Sequence, residues 1–168
     1  FKGVRWMKMT DPWAGEAPSN TGSFLIWQQP HYIYLDEEMY RANPSAETLR
    51  KYGEQVEATA DFMAYFVSLD RTKNQYMIQG STAMQESMSK DFSFNHPFEL
   101  AYWQYGLAVA NLWRERQELE RHKGWDDIIS HLSSLPEVKG IYTAGQPKGK
   151  TDHLNRFDPF DAVAGGAT

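Results

Sequence analysis

Apolar side chains recur every three to four residues in two long stretches of this chain, and that spacing predicts its main elements. In NPSAETLRKYGEQVEATADFMAYFVSLD, Leu49, Tyr52, Val56, Ala60, Met63 and Val67 share one face, with Arg50, Lys51, Glu54 and Glu57 opposite. This is the pattern of a helix that packs one side on a core. Ser45, after Pro44, is the expected N-cap, and Gly53 marks a place for a close helix contact. The second stretch begins at Asn95-His96-Pro97 and carries Leu100, Trp103, Leu107, Ala110 and Trp113 as its stripe. It is expected to run on to Arg121, His122 and Lys123, cations suited to a helix C-terminus, and to stop at Gly124. WDDIISHLSSLP reads as a shorter helix stopped by Pro136. WQQPHYIYLDEEMYRAN reads as a loop entering a helix, with Pro30 in the first turn. There Ile33, Tyr34, Glu37 and Tyr40 share a face. A carboxylate on that stripe has two readings: a buried Glu37 paired with an Arg or Tyr, or the wall of a site.

Between these helices the periodicity is lost. Residues 1–26 are loop-rich, and TDPWAGEAPSNTGS concentrates Pro, Gly, Ser and Asn, the residues of turns. In RTKNQYMIQG, Lys73-Asn74 suits the turn of a small β-hairpin with Tyr76 to Ile78 as a strand. STAMQESMSKDFSF is a polar loop. From Glu137 to residue 168 the chain is again loop-rich, with IYTAG as a brief strand. The expected fold is mainly α: antiparallel helical hairpins joined by long polar loops within one domain spanning residues 1–168. Long loops on a helical scaffold are a common place for function.

Composition narrows the function. The 168 residues are 41% hydrophobic and 23% charged, enough for a core. A net charge of -5 and a pI near 5.5 speak against a nucleic-acid partner. No apolar run approaches the roughly 18 residues of a membrane helix. The chain has no Cys, so disulfides, thiol catalysis and Cys-based metal sites fall away. Phe1 is not an initiator Met and nothing near it resembles a signal peptide, so either a leader was removed or the chain is a piece of something longer. The compartment stays open, with a bacterial periplasmic or secreted setting favoured over the cytoplasm. Aromatic residues make up 14% of the chain; they fill a core or stack on the flat apolar faces of ligands.

The candidate chemistry is carboxylate chemistry. Glu86 shares its loop with one other acidic residue, Asp91; it is flanked by Met84 and Met88, with Phe92 and Phe94 further on. A partly apolar setting raises a carboxyl pKa and lets it protonate a leaving oxygen; a solvated loop glutamate is the plain alternative. In IWQQPH, Trp27 can stack on a sugar face, and Gln28, Gln29 and His31 offer neutral donors and acceptors that suit hydroxyls. The same residues also suit a capped helix start. The five His residues lack metal-ligand spacing, and AGQPKGK lacks the ending of a phosphate loop, so no metal and no cofactor is expected. Glycoside hydrolysis normally uses two carboxylates, about 6.5–9.5 Å apart in an inverting enzyme. Glu16, Glu37, Asp152 and Asp158 are the candidates for the second.

Several motifs in order, MKMTDPWAGEAPSN, LIWQQPHYIYLDEEMYR, ADFMA, MQES with NHPFELAYW, and NRFDP, resemble a bacterial glycosidase group. The chain is similar to relatives of glycoside hydrolase family 65 in the six-hairpin glycosidase superfamily. The resemblance implies part of an alpha-alpha barrel, or toroid, of six helical hairpins, with an oligosaccharide substrate at its mouth. It places Glu86 on the family's catalytic acid, with Asn95 as the downstream Asn, and Trp27, Gln28, Gln29, His31 and Glu37 on the substrate side. Where the family pattern reads Gln-Glu-Asn-His, this chain reads Gln85-Glu86-Ser87-Met88. Twelve barrel helices of roughly 11–12 residues each need well over this length. The chain is therefore expected to hold part of a barrel, completed by further sequence or another chain that carries the second catalytic group. The alternative is a non-catalytic helical module from the same scaffold that binds glycans or protein.

Overall fold

The structure, a computed structural model, describes residues 2–83 and 93–147. These residues are mainly helical. In chain order they form α1 (His31–Ala42), α2 (Ala46–Phe66), β1 (Ser68–Asp70), β2 (Gln75–Met77), β3 (Ser93–Phe94), α3 (Pro97–Arg116), α4 (Lys123–His131), β4 (Glu137–Val138), β5 (Ile141–Tyr142) and β6 (Gln146–Pro147). The strands make three antiparallel pairs, β1 with β2, β3 with β6, and β4 with β5. No described helix is long and apolar enough to cross a membrane.

The described residues group into two compact units. The first takes the described parts of Phe1–Trp6, Gln29–Val67 and Tyr102–Leu132; the second takes those of Met7–Gln28, Ser68–Ala101 and Ser133–Thr168.

The first unit is a helical core. Ser45 caps α2 by accepting from the Thr48 N–H at 3.2 Å, and Leu49, Val56, Ala60 and Met63 are buried along its stripe. Trp103, Leu107, Ala110 and Trp113 of α3 are buried as their spacing requires, and the Trp103 indole donates to the Met63 carbonyl at 3.0 Å. Gly53 sits where a Cβ would come within 2.8 Å of the Gln117 side chain, so the close contact that its position suggests is made. On α1, Ile33 and Glu37 are buried but Tyr34 is 45% exposed, so the inward stripe is narrower than the pattern predicts.

The expected run of α3 to Lys123 is not what forms: it ends at Arg116, and α4 starts at Lys123. Local hydrogen bonding breaks the helix. Glu118 takes a left-handed φ of 60°, and the Leu119 N–H turns back to the Arg114 carbonyl at 2.9 Å. The Asn111 amide receives the His122 N–H at 2.7 Å and donates to Asp126 at 2.9 Å. His122 then caps α4, accepting from the Trp125 N–H at 3.3 Å. Gly124 therefore lies in the first turn of α4, which itself ends at His131, ahead of Pro136.

One carboxylate ties α1 to α3. Glu37 is 1% exposed. Arg116 donates to both its oxygens at 2.6 and 3.1 Å, Arg41 at 2.9 Å and the Trp113 indole at 2.9 Å. Burial pushes this carboxyl up, but the hydrogen bonds from Arg116, Arg41 and Trp113 outweigh it and hold the pKa at about 2, below the ordinary 4.5. The depressed value makes the ionised form a source of stability above pH 4.5, on the order of 3 kcal/mol. That stability is lost as pH falls from 4.5 towards 2. Glu37→Gln should destabilise the fold by roughly 3–5 kcal/mol at pH 7, because it leaves buried cationic donors without their charge. Chemical denaturation at pH 7 and at pH 3 checks this, and the gap between variant and parent should narrow at the lower pH.

Candidate functional site

The expected site residues fall into two groups, one in each unit. In the first unit Gln29 is fully buried, and both ends of its amide are taken: Oε1 accepts from the Trp6 N–H at 2.7 Å and Nε2 donates to the Trp6 carbonyl at 2.6 Å. The side chain thus pairs with a stretch of main chain much as a strand would. His31 Nδ1 lies 2.8 Å from the Tyr102 hydroxyl. Burial lowers the His31 pKa and, with the neighbouring Tyr105 and Tyr34, raises that of Tyr102 to about 12. Both shifts favour the neutral forms of the pair. Glu37 has its oxygens occupied by Arg116, Arg41 and Trp113, the buried-and-paired reading of that position.

In the second unit Trp27 packs edge-on against Phe98 at 6.4 Å, and Gln28 donates to the Leu25 carbonyl at 3.1 Å. Asn95 has a left-handed φ of 52°, which Asn tolerates better than most residues. Its main chain and side chain both grip Ile78. The Asn95 N–H donates to the Ile78 carbonyl at 2.8 Å, and Asn95 Oδ1 accepts from the Ile78 N–H at 2.8 Å. Asn95 Nδ2 donates to Gln146 Oε1 at 3.1 Å. This one side chain therefore joins the end of the β2 segment, the start of α3 and β6.

Further polar residues are buried in the same unit. His96 and Glu99 are buried in and just before the first turn of α3, and Ser81 and Thr82 are buried after β2. Glu99 sits where the helix dipole favours a negative charge. The signal was available: residues 96 and 99 fall at helical spacing on the stripe of Leu100 and Trp103, where an apolar side chain would be ordinary. Gly145 makes room for His96, since a Cβ there would lie 2.7 Å from the imidazole Cδ2. Ser81 Oγ is buried without a hydrogen-bond partner among the described residues.

Glu86, with Ser87 and Met88, lies outside the described residues, as do Asp152, Asp158 and the NRFDP motif. What the structure describes is the chain on either side of the Glu86 loop, with Ser81 and Thr82 before it and Asn95, His96 and Glu99 after it, all in the second unit. Glu16 is exposed and pairs with Thr10 in an isolated bridge. Among the described residues no group of three or more His, Asp or Glu could hold a metal ion.

A second perturbed carboxylate escaped the sequence reading. Asp36 is 3% exposed and accepts from Gln55 at 3.0 Å. Burial raises its pKa to about 6 against the weaker opposing effect of the Gln55 bond. A raised carboxyl pKa has the opposite sign to that of Glu37: the ionised form costs stability, and the cost grows as pH rises from 3.8 through 6.

No protein-family model matches the chain, and no curated protein matches it.

Asp36→Asn keeps an oxygen for Gln55 and removes the buried charge, so it should raise stability at pH 8 by on the order of 1–3 kcal/mol. Melting curves at pH 8 and pH 4 should show the gain at the first and little at the second. Asn95→Ala should cost about 2 kcal/mol, from the unsatisfied Ile78 N–H and from an alanine forced to positive φ. Asn95→Asp, which keeps the acceptor, should cost less. Urea titration of the two variants side by side decides the order.

Proposed function

We propose that this chain is a segment of a carbohydrate-active enzyme, similar to glycoside hydrolase family 65, that cleaves glycosidic bonds in oligosaccharides. In this reading its helical hairpins form part of a six-hairpin alpha-alpha toroid, and Glu86 is the general acid on the glycosidic oxygen. The second group, a carboxylate for hydrolysis or a bound phosphate for phosphorolysis, comes from outside the described residues. Trp27 and Gln28 serve the substrate side.

The observation that carries the reading is the setting of the Glu86 loop. The chain enters it from buried Ser81 and Thr82 and leaves it through buried Asn95, His96 and Glu99, within one compact unit. Hydroxyls and an imidazole suit a hydroxyl-rich ligand, and buried polar groups are a usual mark of a ligand site; the Asn95 amide, bonded to Ile78 and Gln146, holds the frame beside them. The ordered motifs supply the reaction class. Gln29 and Glu37 enter this reading as the frame of the first unit, since their polar atoms are already engaged.

A second reading rests on Ser87 and Met88, which stand where the family pattern has Asn and His. It makes the chain a non-catalytic helical module that binds glycans or another protein. Glu86→Gln in the full-length protein separates the two. Loss of turnover by about 10²–10⁴-fold with oligosaccharide affinity kept supports the general acid, and unchanged turnover refutes it. Calorimetric binding of oligosaccharides with no product from the parent protein points to the module instead.

A further inference from the structure

The β4–β5 hairpin turns through Lys139 and Gly140, both at positive φ, 53° and 80°. Two consecutive positive values are the mark of a type I′ turn, whose twist matches that of the strands it joins. The turn fixes the register: Val138 pairs with Ile141 next to the turn, then Glu137 with Tyr142, and the Thr143 N–H closes on the Pro136 carbonyl at 3.0 Å. Glu137 and Tyr142 are thus a directly opposed pair between two bonded steps. In such pairs the side chains stand on the same face, with Cβ atoms about 4.5–5.5 Å apart. A carboxylate and an aromatic ring are set side by side by the backbone alone.

Both residues line one cleft of about 520 Å³, together with Ser134, Leu135, Pro136 and Gln146. That volume is within the roughly 300–1,000 Å³ of small-ligand sites. Tyr142 is 55% exposed, so its ring is available to a ligand. Gln146 Oε1 is held by Asn95 at 3.1 Å, which fixes the amide. The lining therefore offers an open aromatic face, a carboxylate, a hydroxyl and an oriented amide.

We infer that this cleft is a glycan-binding subsite, with Tyr142 stacking on the apolar face of a neutral sugar ring and Glu137 and Gln146 bonding its hydroxyls. An aromatic ring matches the C–H face of a pyranose. A carboxylate accepts from adjacent hydroxyls, and an amide both donates and accepts. None of the described lining residues is cationic. The inference shares with the proposed function the ligand class and nothing else: it needs no role for Glu86.

The test titrates neutral α- and β-linked tri- and tetrasaccharides into the full-length protein by calorimetry, comparing parent, Tyr142→Ala, Tyr142→Phe and Glu137→Ala. Tyr142→Ala should weaken binding about tenfold or more and Tyr142→Phe little, because the ring carries the contact; Glu137→Ala should also weaken it. Tyr142 and Glu137 are exposed, so circular dichroism of the variants should match the parent. Unchanged affinity in Tyr142→Ala overturns the inference, as does a parent that binds none of the sugars. Turnover of Glu86→Gln, measured alongside, tells the two claims apart. A full effect at Glu86 with none at Tyr142 sinks only the subsite. An effect at Tyr142 with none at Glu86 sinks only the catalytic reading.

Discussion

The Glu37 carboxylate is the joint on which the first unit depends. Arg116 reaches it from 79 positions along the chain, Trp113 from the turn before, and Arg41 from its own helix. A buried charge with fewer partners would be a large loss, so α1 and α3 must meet in the register that brings these donors together. That register in turn places the rest. Trp113 is held against Tyr40 with ring centroids 5.7 Å apart, and the Arg116 guanidinium lies over the Tyr40 ring at 4.2 Å. The guanidinium is planar and forked, so it can bind both carboxylate oxygens and still cover an aromatic face.

The same logic of one polar side chain replacing secondary structure recurs. Gln29 pairs with the Trp6 main chain, Asn95 with Ile78, and Asn111 with His122. Each amide presents a donor and an acceptor in the plane of a peptide, so it satisfies main-chain groups where no strand or helix does so. Long irregular segments can then be held in place without β-sheet. In the second unit this device ties Asn95 to Ile78 and to Gln146.

Asp36 and Glu37 are adjacent in sequence and opposite in behaviour. Both are buried, but Glu37 has cationic donors and Asp36 has a single neutral amide. Desolvation acts on both; the partners decide which form of the carboxyl wins. The acid limb of stability should accordingly be set by Glu37 and partly offset by Asp36.

Much of the fold was legible in the sequence because its signals are local. The stripes of Leu49 to Met63 and Leu100 to Trp113, the Ser45 cap, the Lys73-Asn74 turn and the close contact at Gly53 all follow from spacing within a few residues. The end of α3 was not legible, because the cations from Arg121 to Lys123 suit a helix C-terminus, while Asn111 and Asp126 make them the cap of the next helix instead. Nor could spacing say whether Glu37 walls a site or is buried and paired, since its partner Arg116 lies far along the chain. By itself the sequence determined the helices, their inward faces and the residue types able to do carboxylate chemistry, through periodicity and composition. Tertiary structure alone decided which polar side chains are consumed as framework. Hydrogen bonds between distant residues depend on how elements pack, and no local pattern encodes that.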